Sequence, residues 1–158
     1  MEPPEPKNPV VCAGIGSGLA PHMAFLRDHV RAADAGEAVG PFSLFFGNRT
    51  IADEFLYREE LEKYAEKYDW FKLHTAFSRD QKVKIYVQDL IGKTEDSRQL
   101  LLDRPDGLLY VCGNRNLPKP LQENLIKTFS RGEEKDPAKI AAAVEELYVR
   151  GRAQQEVW

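Results

Sequence analysis

Apolar runs alternate with helical patterns along the 158 residues, and this alternation predicts an α/β fold built on a parallel sheet. Two further observations support it. FSLFF (42–46) is a continuous apolar run, as a strand covered on both faces requires. The first apolar run ends in GIGSGLAPH (14–22), where three glycines at alternate positions lead into a helix start. In sheets of this kind, ligands sit at the carboxyl ends of the strands.

The elements follow in order. MEPPEPKNP (1–9) is proline-rich and polar, which predicts a linker or the cut end of a longer chain over residues 1–8 and a single domain over 9–158. Val10 to Ala13 is the first strand. Its glycine turn has two readings: a cradle for phosphate, because free N–H groups and a helix dipole favour negative charge there, or a tight turn with no ligand. Pro21 sits in the first turn of the helix that follows, where its missing N–H costs nothing. Phe42 to Phe46 is the second strand. From Thr50, TIADEFLYREELEKYAEKY starts like a capping box and continues as a helix with Glu59 four residues before Lys63, its acidic residues forming a solvated face.

WFKLHTAFS (70–78) alternates and is aromatic-rich, a third strand. Short helices are expected around Tyr86 to Ile91 and Glu95 to Asp103. GLLYVCG (107–113), bounded by glycine on both sides, is the fourth strand. Leu117 to Phe129 and Pro137 to Arg150 read as helices. The second has Asp136 as N-cap, Ile140, Ala143, Val144 and Leu147 on one face, and Gly151 as terminator. RAQQEVW reads as a tail ending on tryptophan.

Composition narrows the function classes. A net charge of −3 argues against broad binding to nucleic acid or to an acidic membrane surface. No apolar run approaches membrane-spanning length and no signal-peptide core is present, so a soluble, intracellular, cytoplasmic protein without membrane contact from this segment is expected. Cys12 and Cys112 lie in separate apolar runs and suit reduced buried thiols. No His/Cys cluster has metal-ligand spacing, and none is expected to bind metal. His22, His29 and His74 stand alone and read as ordinary helix or strand residues.

The four strand ends are polar or glycine-rich. An NAD site would place an acidic residue near the end of the second strand to hold the ribose 2′-hydroxyl; here stand Asn48 and Arg49. The third strand leads into Ser78, Arg79, Lys82, Lys84 and Tyr86, a set suited to charge-assisted hydrogen bonds around a 2′-phosphate. This favours NADP over NAD. An exposed charged turn is the alternative for SRDQKVK taken alone.

GIGSGLAPHMAFL, LFFGNR, DEFLYREEL, AFSRDQKVKIYVQDLI, YVCGN and GRAQQEVW, in this order and spacing, resemble the NADP-binding lobe of the ferredoxin-NADP reductase superfamily. The resemblance is strongest to its diflavin branch, which includes cytochrome P-450 reductase, the sulfite reductase flavoprotein and the reductase segment of pyruvate:NADP oxidoreductase. It covers Pro9 to Trp158 and implies a Rossmann-like three-layer sandwich around a parallel five-stranded sheet. It places Gly16, Ser17 and Gly18 at the pyrophosphate, with Arg49 as a further phosphate contact. It assigns Ser78, Arg79, Lys84 and Tyr86 to the adenosine 2′-phosphate, Cys112 and Glu156 to the nicotinamide, and Trp158 to the flavin ring that nicotinamide must uncover.

The resemblance further implies an NADPH-dependent oxidoreductase in which hydride passes from NADPH to FAD and single electrons pass on to FMN. The FAD- and FMN-binding domains would be covalently linked but lie outside this chain, so the isolated domain is expected to be inactive. Glu156 stands where the diflavin branch usually has aspartate and matches the single-flavin ferredoxin or flavodoxin reductases, which form one alternative. A non-catalytic NADP-binding module is the other. The YVCGNRNLPKPLQ loop is one residue shorter than the common form, and Asn114 and Arg115 receive no assigned contact.

Overall fold

The apolar runs become strands of one sheet in this computed structural model, which describes residues 1–48, 57–77, 86–131 and 136–158. Strand β1 (Val10–Ile15) leads through a 3-10 turn (Gly16–Gly18) into α1 (Leu19–Asp34) and then β2 (Phe42–Asn48). Helix α2 (Arg58–Lys67), β3 (Phe71–Phe77), α3 (Val87–Lys93), α4 (Glu95–Leu101) and β4 (Leu108–Gly113) follow. Helices α5 (Pro118–Phe129) and α6 (Pro137–Val149) precede β5 (Ala153–Val157). The spatial order is β3-β2-β1-β4-β5, and every pairing is parallel. The chain winds outward from β1 to β3, then crosses back to lay β4 on the other side of β1. The strand order therefore reverses between β1 and β4, the place where such sheets open a crevice.

Period-two alternation sorts each strand's side chains between two helical layers. Val11, Ala13, Phe45, Leu109 and Val111 meet Val87, Ile91, Leu101, Leu121, Leu125, Phe129, Val144 and Leu147 on one face, all buried. Val10, Cys12, Phe42, Leu44, Phe46 and Tyr110 meet Leu19, Met23, Leu26 and Leu61 on the other. The first layer is chiefly aliphatic. The second is aromatic-rich, with Phe25 against Tyr110 at 4.8 Å and His29 edge-on to Phe42 at 4.9 Å between ring centroids.

Two expectations need correction. The terminal RAQQEVW is not a tail: Ala153–Val157 is β5, in register with β4 from Leu109↔Ala153 to Gly113↔Val157. Its polar Gln-Gln-Glu sequence hides the strand, because an edge strand is paired on one side only and tolerates polar side chains. Arg152 ties in its start, donating from Nε to Gly107 O at 2.9 Å and from Nη2 to Leu101 O at 2.9 Å and Arg104 O at 2.8 Å. Second, the acidic face of α2 is not wholly solvated. Glu60 accepts two bonds from Arg27 of α1, at 2.9 and 2.8 Å, and one from Tyr64 Oη at 3.0 Å. Arg58 and Glu62 pair one turn apart at 2.9 Å in α2, and the capping-box start at Thr50 lies outside the described residues.

The proline-rich start of the chain lies against the fold. Pro4 and Pro9 are buried, Glu2 N–H donates to Gln154 Oε1 at 2.8 Å, and Tyr110 Oη donates to Glu2 O at 2.8 Å. Gly40 N–H donates to Pro6 O at 2.8 Å.

Candidate functional site

The three alternate glycines have separate reasons. A Cβ on Gly14 would lie 2.9 Å from His22 Cδ2 and 3.2 Å from the Gly18 carbonyl. A Cβ on Gly18 would collide with the Cys112 carbonyl at the end of β4. Both positions are closed by the protein itself. Gly16 differs: its φ of +55° is the left-handed region that disfavours a side chain, and nothing stands within 4 Å of where a Cβ would be. The backbone of the turn is therefore clamped on the inside and open on the outside. Ser17, at its crest, is exposed. Gly18 is the N-cap of α1 and supplies no side-chain hydrogen bond, so the first N–H groups of the helix receive no cap from it.

Beside the turn stands the end of β4. Gly14 has Phe46 as its register partner on one side and Cys112 on the other, and Cys112 pairs in turn with Glu156 of β5. Register partners on adjacent strands share a sheet face, which puts Cys112 and Glu156 side by side. Cys112 is fully buried and Glu156 exposed. Burial pushes the Cys112 thiol up, and the Glu156 carboxylate pushes it the same way. At neutral pH it is a neutral S–H, not a nucleophile. Cys12, raised well above its ordinary value by burial, is a core thiol as expected.

Trp158 is anchored through its backbone. Its N–H donates to Gly113 O at 3.1 Å, and its carbonyl accepts from Arg115 N–H at 3.0 Å, extending the β4–β5 ladder to the last residue. The indole remains 57% exposed. Gly16, Ser17, Gly18, Cys112, Glu156 and Trp158 thus share the carboxyl edge at the reversal of strand order.

Tyr86 stands at the start of α3 with its ring exposed, its N–H donating to the Asp89 carboxylate at 3.0 Å. The next residue, Val87, is buried against the end of β2, where a Cβ on Gly47 would lie 3.3 Å from Val87 Cβ. Tyr86 is therefore held beside the carboxyl ends of β2 and β3. Arg49, Ser78, Arg79 and Lys84 lie outside the described residues. Asn48 and Phe77, which immediately precede Arg49 and Ser78 in sequence, are register partners.

His22, read from the sequence as an ordinary helix residue, lies under the glycine turn. No spacing rule announces it. Its Nε2 is 3.0 Å from the Ala13 carbonyl, and burial draws its pKa down to about 4. His29 is likewise buried, with Nδ1 3.1 Å from Phe25 O, and His74 stacks on Phe45 at 4.5 Å. Among the described residues, no group of three or more His, Cys, Asp or Glu could hold a metal ion, and no helix is long and apolar enough to cross a membrane.

The outward-open glycine turn at a helix start is an arrangement that can receive a phosphate group. Residues 10–123 match the family model described as "Oxidoreductase NAD-binding domain". The chain is 38% identical over its full length to the mitochondrial pyruvate dehydrogenase [NADP(+)] of Euglena gracilis, covering 9% of that protein. Over 99% of its length it is 32% identical to the NADPH–cytochrome P450 reductase of Musca domestica and 34% identical to that of Aspergillus fumigatus, covering 23% of each. The chain therefore spans under a quarter of these relatives. Fold, switch-point geometry and matched residues agree: the chain belongs to the oxidoreductase NAD-binding domain family, as a nucleotide-binding lobe of the diflavin-reductase type.

Proposed function

We propose that this chain is the NADPH-binding domain of a diflavin oxidoreductase whose covalently linked FAD- and FMN-binding domains are outside it. The observation that carries this reading is the convergence of the open glycine turn, the Cys112–Glu156 pair and Trp158 at one point of the carboxyl edge. When bound, NADPH would supply a hydride to a flavin held by the domains outside this chain. The N–H groups of Gly16–Gly18 and the start of α1 receive the pyrophosphate, with Arg49 as a further contact. Ser78, Arg79 and Lys84 bind the 2′-phosphate, and Tyr86 packs on the adenine side.

Cys112 presents a compact, neutral thiol against the nicotinamide. Glu156 would stabilise positive charge as it develops on that ring, and Trp158 would cover the flavin until nicotinamide displaces it. In this scheme the protein contributes distance and alignment. Free buried Cys12 and Cys112 suit a reducing intracellular compartment, and we place the protein there.

Calorimetric titration tests the reading directly. NADP and 2′-AMP should bind far better than NAD. Hydrogen bonds to charged groups contribute roughly 1.5–3 kcal/mol each, so losing two should weaken binding about a hundredfold or more. Arg79→Ala should remove most of the preference, and equal affinity for NAD and NADP in the unsubstituted chain would defeat the proposal.

A further inference from the structure

His22 is fully buried near the start of α1, its ring filling the place a Gly14 side chain would need. Its Nε2 lies 3.0 Å from the Ala13 carbonyl. A carbonyl only accepts, so Nε2 carries the proton, and in the neutral ring Nδ1 holds a lone pair. That nitrogen is buried with no hydrogen-bond partner. An orphaned buried acceptor is costly, and a phenyl ring would fill the same space without it. What imidazole adds is the single bond to Ala13. That bond joins the buried strand β1, at the residue before Gly14, to the first turns of α1, across the base of the loop formed by Gly14 to Gly18.

We propose that His22 is a positioning residue for the glycine turn: its Nε2–H braces Ala13 against α1 and keeps the Gly16–Gly18 backbone N–H groups aimed at the pyrophosphate. Gly14 is then the complement of His22, lacking a side chain so that the ring can reach the Ala13 carbonyl. The brace is neutral at pH 7, since burial holds the imidazole pKa near 4. This inference rests on reading the turn as the pyrophosphate site.

The test separates the turn from the adenosine end. 2′-AMP carries the 2′-phosphate and no pyrophosphate, whereas NADP carries both. In His22→Phe, calorimetry should show NADP affinity reduced about tenfold, with 2′-AMP within about twofold of the unsubstituted chain. His22→Gln, which retains an N–H donor, should recover most of the NADP affinity. Equal losses for both ligands, or unchanged NADP affinity, would overturn the brace. Failure of 2′-AMP to bind the unsubstituted chain would instead overturn the nucleotide reading beneath it. A measurement independent of any variant is the imidazole nitrogen spectrum of the intact chain at pH 7. It should show a proton on Nε2 and a bare Nδ1; the other tautomer, or a charged ring, also overturns the proposal.

Discussion

At the carboxyl ends of β1 and β4 the chain positions backbone, while at those of β2 and β3 it leads into side-chain charge. Around β1 and β4 the fit is steric: Gly18 admits no Cβ against the Cys112 carbonyl, Gly14 admits none against His22, and Cys112 is a buried neutral thiol. Beyond β2 and β3 the sequence runs into Arg49, Ser78, Arg79 and Lys84, with Tyr86 exposed at the head of α3. Under the proposed function the difference is a division of labour. Charged side chains would choose the nucleotide by its phosphate, through forces that act over several ångströms. Clamped backbone would set where its reactive end lies, through contacts that fail with a displacement of a few tenths of an ångström.

The largest effect that would sharpen this contrast is set by acid. His22 has a folded pKa near 4 against an ordinary 6.5, lowered by burial. Between those values the unfolded chain binds a proton that the folded chain refuses, so stability rises with pH there. The contribution is complete above about pH 6.5 and is lost progressively as the pH falls through about 4, a loss of about 3 kcal/mol. His29, lowered mainly by burial, acts with the same sign. Urea midpoints taken from pH 7 to pH 4 should fall steeply in the unsubstituted chain and less steeply in His22→Phe. Parallel slopes would detach His22 from acid stability.

The next effect contrasts two glycines two residues apart. Gly18→Ala forces a methyl into the Cys112 carbonyl, and overpacking of this kind costs about 1–3 kcal/mol. Gly16→Ala has open space and meets only the left-handed backbone penalty, about 1–2 kcal/mol. Thermal unfolding should therefore rank Gly18→Ala as the more destabilised. Binding should distinguish them differently: an added methyl at Gly16 projects where a pyrophosphate would lie, so NADP affinity should fall in Gly16→Ala even where the fold is intact. A Gly16→Ala chain that binds NADP normally would remove the pyrophosphate from this turn.

Strands β1, β2 and β4 are legible as apolar runs because helices cover both faces of the sheet there, whereas β3, at the sheet edge, is legible by its alternation. β5 is not legible, because its pattern of Ala-Gln-Gln-Glu-Val serves an edge and its pairing comes from β4. The same non-local pairing brings Glu156 to Cys112, which no local spacing announces. The glycine turn is legible as a feature but not as a mechanism. Only packing reveals that Gly14 and Gly18 answer to the protein's own atoms, while Gly16 faces open space. The resemblance supplies what local pattern cannot, since it encodes these long-range pairings as an order of motifs.

Trp158 carries the smallest expected effect and belongs to neither half of the comparison by itself. Two backbone hydrogen bonds, to Gly113 O and from Arg115 N–H, fix the chain end without using the indole. With the ring 57% exposed, Trp158→Ala should change unfolding free energy by less than about 1 kcal/mol. Its consequence should appear in ligand choice once the flavin domains are present. If the indole lies over the flavin where nicotinamide must sit, displacing it opposes the nicotinamide end of the ligand and leaves the adenosine end untouched. NADH lacks the 2′-phosphate and depends more on that end, so Trp158→Ala should raise kcat/KM for NADH relative to NADPH several-fold. Turnover with NADPH should fall, because oxidised nicotinamide left stacked on the flavin departs slowly and product release can limit the cycle. Comparing both nucleotides in the full-length variant and its parent decides the matter. An unchanged ratio would mean that specificity is complete at the charged segments beyond β2 and β3, and that Trp158 is a well-anchored chain end with no part in selecting the nucleotide.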